Sequence, residues 1–113
     1  MINKVTRDKI EKLLEEYRCA SEGNERALYE IAVAEIPEMV YNSNAIENST
    51  LTLKETEDII LHDQMLRDHE IREVFEAKNL AKVTAELLKN PQERLTNGLI
   101  LSLHKMLLTG IGD

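Results

Sequence analysis

Cysteine, proline, glycine and aromatic residues are all scarce in this chain. A single cysteine, Cys19, among 113 residues excludes an internal disulfide. It fits a reducing cytoplasm, where such a residue is expected to pack between helices rather than react. Two prolines, four glycines, one phenylalanine and no tryptophan, beside abundant Leu, Ile, Glu, Lys and Ala, form a helical composition. Nothing approaches the roughly 20 consecutive apolar residues of a membrane span. The opening Met1-Ile2-Asn3-Lys4-Val5-Thr6-Arg7-Asp8 is polar where a signal peptide needs an apolar stretch. Basic charge is also in deficit: 14 Lys+Arg against 21 Asp+Glu leave a net charge of −7. That is the wrong sign for binding nucleic acid or an anionic membrane surface.

What is present is apolar residues at helical spacing. The length suits one small domain with a modest margin of stability, and no strand alternation, internal repeat, low-complexity tract or linker interrupts it. Thr6 with Asp8 predicts the start of a first helix carrying Ile10, Leu13, Leu14 and Tyr17 on one stripe. Gly23 and Asn24 break it. A second helix is predicted from about Glu25 to Glu47, with Leu28, Ile31, Ala32, Glu35, Ile36, Met39 and Val40 on its buried side. Pro37 lies inside it and predicts a kink or restart, and Asn48 suits a left-handed residue after its end. Thr52-Leu53-Lys54-Glu55 reads as a capping box opening a short helix with Leu53, Ile59, Ile60 and Leu61. The pattern blurs from His62 to Asp68, and Asp68 is a plausible cap for a long helix with Ile71, Val74, Phe75, Leu80, Ala81, Val83, Leu87 and Leu88. Asn90-Pro91 ends it, and Thr96 caps a fifth helix to Leu108, stopped by Gly110. The chain is therefore expected to be all-α, a small bundle of about five helices.

In the fifth helix Leu99, Ile100, Leu101, Leu103, Met106, Leu107 and Leu108 cover nearly the whole circumference, the pattern of a helix enclosed on all sides. Either further polypeptide or a second copy should cover it, so self-association through residues 96–108 is expected; the plainer alternative is a well-packed terminal helix with a few exposed leucines. His104 within it reads as a core histidine. His62 and His69 with Asp63 and Asp68 have no tight metal-ligand spacing and read as a solvated turn. Asn48-Ser49-Thr50 matches a glycosylation acceptor, a coincidence without a secretion signal.

The segment Ser43-Asn44-Ala45-Ile46-Glu47-Asn48, followed by Ser-Thr-Leu-Thr-Leu-Lys-Glu, carries the most information. It resembles the inhibitory-helix signature of Fic-domain proteins, (Ser/Thr)-x-x-x-Glu-(Gly/Asn) with a trailing Leu-Thr-Leu-x-Glu. Ser43, Glu47 and Asn48 fill its defined positions. Leu95 to Ile111, with Leu103-His104, is similar to the opening of the Fic core, and Glu76-Ala77-Lys78-Asn79 to the Glu-x-x-Asn of the preceding helix. The resemblance implies the N-terminal part of a Fic-type fold: residues 1–94 a helical region whose stretch from about 25 to 48 is the inhibitory helix, residues 95–113 the first helix of a truncated core. It implies a parent activity, transfer of AMP from ATP to target-protein hydroxyls with Mg²⁺. The His-x-Phe-x-(Asp/Glu)-Gly-Asn-(Gly/Lys)-Arg loop of that chemistry is absent, so this stretch alone is expected to be inactive and to hold no cofactor, its catalytic residues none. The implied partner is a Fic core in cis. Two other readings are an antitoxin-like protein acting on a separate Fic domain in trans, and a helical oligomerisation module.

Overall fold

The computed structural model describes residues 2–64 and 71–111. Among them are six α-helices and no strand: α1 (Lys4–Ser21), α2 (Glu25–Ala34), α3 (Ile36–Ile46), α4 (Leu53–His62), α5 (Ile71–Lys89) and α6 (Asn97–Leu107). The protein is all-α, a small helical bundle. The sixth helix comes from Pro37, which sits in the first turn of α3. There the missing proline N–H costs nothing, since the first amides of a helix have no partner within it. The single helix expected over 25–47 is therefore two, with Glu35 between them donating its amide to Ala32 O at 3.2 Å. No described helix is long and apolar enough to cross a membrane.

The chain divides into two compact units, Met1–Ile31 and Ala32–Asp113. In the first, Asn3 caps α1: its side-chain oxygen accepts the Thr6 amide at 2.9 Å. Thr6 is thus the residue being capped, not the cap. None of the α1 residues is buried, and Ile10, Leu13, Leu14 and Tyr17 are 46–59 % exposed. Cys19 is likewise exposed and packs into no core, its sulfur lying 3.9 Å from the Glu15 carboxylate. Gly23, at φ 82°, makes the turn into α2.

In the second unit α3, α4 and α5 pack on one another and α6 packs on α5. Ile36, Val40, Leu51, Ile59, Val74, Ala77 and Ala81 form the core, flanked by half-buried Ile60, Leu80, Ala85 and Leu88. Val40 and Val74 are 0 % exposed, and each such aliphatic side chain contributes about 1.5–3 kcal/mol on leaving water. Of the buried side expected over 25–47, Ile36 and Val40 are buried, whereas Ile31, Glu35 and Met39 are exposed. Thr52 makes the full capping box of α4 with Glu55. Asp63 closes α4 in a left-handed conformation, φ 50°. Asp68, the expected cap of α5, and His69 lie outside the described residues, as do Gly112 and Asp113 at the end of the 95–113 segment.

Thr96 caps α6, accepting the Leu99 amide at 3.1 Å. The helix is not enclosed on all sides: none of its residues is buried. Leu99, Leu103, Met106 and Leu107 are half-buried, while Ile100, Leu101 and the following Leu108 are exposed. His104 is exposed too, not a core histidine. A helix apolar all round is here covered on one side only.

Candidate functional site

Helix α3 ends in a tightly specified turn. Asn48 adopts φ 67°, its amide donates to Ala45 O at 3.1 Å, and the Ser49 amide donates to Asn44 O at 3.0 Å. These two bonds are the Schellman pair, which satisfies the last carbonyls of a helix when the next residue turns left-handed. Asparagine tolerates that conformation better than any other residue carrying a Cβ. The role of Asn48 here is thus one of backbone geometry.

The segment leaving this turn is anchored at once. Glu73 on α5 accepts both the amide and the hydroxyl of Thr50, each at 2.8 Å, a two-pronged contact on an ionised acceptor. Leu51 is buried in the core, and its amide donates to the Ser49 hydroxyl at 3.3 Å. Thr52 then accepts the Glu55 amide at 3.1 Å while Glu55 accepts the Thr52 amide at 2.9 Å. The whole stretch from 48 to 55 is held by caps, a buried leucine and a bond to another helix. Its position at the end of α3 is therefore fixed.

Ser43 and Glu47 stand on that frame, one helical turn apart and so on the same face. Both are exposed, and neither side chain has a hydrogen-bond or ion-pair partner among the described residues. Ser43 borders a shallow hollow with Glu35, Glu38, Met39, Asn42 and Ile46; Ile46 is 81 % exposed. The face is thus acidic, with a hydroxyl and an uncovered isoleucine between carboxylates. Beside it, the Asn44 side-chain nitrogen is buried with no hydrogen-bond partner. Ser43, Glu47 and Asn48 thus stand close together at the end of α3, the first two with exposed side chains.

A second anchor fixes α6. Asn79, 2 % exposed on α5, donates its amide hydrogens to Leu107 O at 3.0 Å and Thr109 O at 2.7 Å. One buried side chain thereby caps the carbonyl end of α6. Its neighbour Glu76 pairs instead with Arg72 on α5 at 2.9 Å. Glu73 carries no local sequence signal, because its partner Thr50 lies 23 residues away. Asn79 is marked in the sequence only by the Glu-x-x-Asn pattern.

His62 ends α4, and Asp63 pairs with Lys78 on α5. The hydrogen bond from Lys78, and then its charge, hold the Asp63 carboxyl below its ordinary range. Among the described residues no group of three or more His, Cys, Asp or Glu side chains could hold a metal ion. No protein-family model matches the chain, and no curated protein or solved structure matches it either.

Proposed function

We propose that this chain is the N-terminal, inhibitory-helix-bearing part of a cytoplasmic Fic-type protein adenylyltransferase, with α3 as the inhibitory helix and α6 as the first helix of the core. The observation that carries the reading is the Ser43–Glu55 signature, whose Ser43 and Glu47 share one exposed face of a helix end anchored through Thr50 and Glu73. ATP and Mg²⁺ belong to the core, which supplies transfer of AMP to target hydroxyls. What this chain contributes is charge in a fixed place. The Glu47 carboxylate pairs bidentately with a core arginine needed for the γ-phosphate, and Ser43 donates a hydrogen bond to the same loop. The other carboxylates on this face, Glu35 and Glu38, add to its attraction for a cationic loop. The outer face of α6, with Ile100, Leu101 and Leu108 uncovered, offers apolar surface to the rest of a core in cis.

The test compares AMP auto-labelling by the wild type and by Glu47→Gly in a polypeptide that joins this chain to a Fic core. Removing the carboxylate frees the arginine and takes a negative charge from the nucleotide site. Activation of roughly ten- to several-hundred-fold is expected, the scale of losing a charge pair of about 2–4 kcal/mol. Ser43→Ala should give a smaller rise, on the order of a neutral hydrogen bond of about 1 kcal/mol. Equal labelling rates in equally folded proteins would sink the assignment.

A further inference from the structure

Helix α1 is an amphipathic helix of 18 residues in which no residue is buried. Helices of this length are only marginally stable alone in water, and most of their stability comes from packing an apolar face. The stripe of α1 is well formed: Ile10 and Tyr17 fall seven residues apart, with Leu13 between them and Leu14 beside it. In heptad terms Ile10 and Tyr17 occupy a, while Thr6, Leu13 and Ala20 occupy d. The apolar part of this seam runs from Ile10 to Ala20, about one and a half heptads, and is the face of a short two-stranded coiled coil.

Charge identifies the occupant. The flanking g positions are Lys9 and Glu16, opposite in sign and seven residues apart. Neither has an ion-pair partner among the described residues. Paired with a parallel copy, g meets e, so Lys9 would face Leu14 and Glu16 would face Ser21, and neither charge would be answered. Paired with an antiparallel copy, g meets g. Lys9 then faces Glu16 of the other copy, and the two-fold axis repeats the same bond at the other end. Leu14, at e, meets the aliphatic stem of Arg7 in that arrangement.

The wider pattern agrees. The first half of α1 carries Lys4, Arg7, Lys9 and Lys12 against Asp8 and Glu11; the second half carries Glu15 and Glu16 against Arg18. The first turn contains no acidic residue, so basic charge crowds the positive end of the helix dipole. An antiparallel neighbour brings its acidic half and its negative dipole end to that place. We infer that α1 is a self-association element, binding α1 of a second copy of this chain antiparallel through Ile10, Leu13 and Tyr17, with reciprocal Lys9–Glu16 pairs setting the orientation.

The experiment is sedimentation equilibrium on the full chain and on Lys9→Glu, Glu16→Lys and the double exchange, with circular dichroism confirming equal helix content. A seam this short should give a reversible dimer with a Kd on the order of tens to hundreds of micromolar. Each single reversal places like charges opposite one another and should raise Kd by about tenfold or more, while the double exchange restores the pair and returns Kd to within about threefold of wild type. A strict monomer at about 500 µM would overturn the proposal. So would dimerisation indifferent to both single reversals, which would place the contact on another surface such as α6. Loss that the double exchange does not restore would overturn the antiparallel pairing.

Discussion

At the scale of single residues, Gly110 shows how one position satisfies two constraints. It adopts φ 74° after α6, where a Cβ would stand 2.8 Å from the Phe75 ring. The left-handed conformation alone costs an alanine about 1 kcal/mol; the contact with Phe75 adds a steric cost that only movement of the ring relieves. Gly110→Ala should therefore destabilise the second unit by about 2–3 kcal/mol in urea denaturation. In a Phe75→Leu background the same change should cost only about 1 kcal/mol. An equal cost in both backgrounds would show that the ring is not the obstacle. That Gly110 stops α6 was legible, because glycine after an apolar helix is a local signal. That it stops the helix against Phe75 was not, since the two meet only once α6 lies on α5. The same division separates Asn48, whose left-handed turn is written locally, from Asn79, whose burial between helices is not.

At the scale of elements, boundaries were the readable part. Thr52, Thr96, Asn48 and Pro37 each act through backbone amides or carbonyls within a few residues, so their effects lie inside the window that a local pattern covers. Asn3 and Thr6 mark the limit of such reading: both residue types cap helices, and three residues separate a cap from the amide it receives. Faces were less readable than ends. Ile31, Met39 and His104 sit on apolar stripes yet are exposed, because a stripe shows that a helix has something to bury without showing what covers it. The link that places the candidate site is of this long-range kind, Thr50 held by Glu73. Glu73→Ala should lower stability by about 1–3 kcal/mol, leaving two donors at Thr50 without their ionised acceptor. Glu76→Ala, one turn further along α5, removes only an ion pair with Arg72 on the same helix, worth about 0.5 kcal/mol. Denaturant midpoints of the two variants measured together decide the matter; equal, small losses would mean that the bond to Thr50 does not hold the α3–α4 connection.

At the scale of the whole molecule, the excess of 21 acidic over 14 basic residues makes stability in acid a balance of opposing effects. Protonating carboxylates relieves repulsion within a chain of net charge −7, but it also removes those carboxylates that the fold holds ionised. Asp63 is one of these, kept below its ordinary range first by the hydrogen bond from Lys78, then by the charge of Lys78, with Lys82 adding to it and burial opposing. A carboxyl whose folded pKa is depressed contributes its full stabilisation above its unfolded value, about 3.9 for aspartate. That contribution disappears as pH falls through the folded value. Asp63→Asn isolates the effect, because asparagine accepts the left-handed backbone at φ 50° while removing only the charge. Relief of net repulsion, and the lowered Glu25 carboxyl held by its own and Gly23's amides, act almost equally in both proteins and cancel in the difference. Urea midpoints across an acid series should show the wild type ahead at pH 7 and the gap closing as pH drops below about 4. A gap that stays constant into strong acid would assign the loss to packing or to the turn at Asp63, and would remove the Lys78 pair from the forces that join α4 to α5.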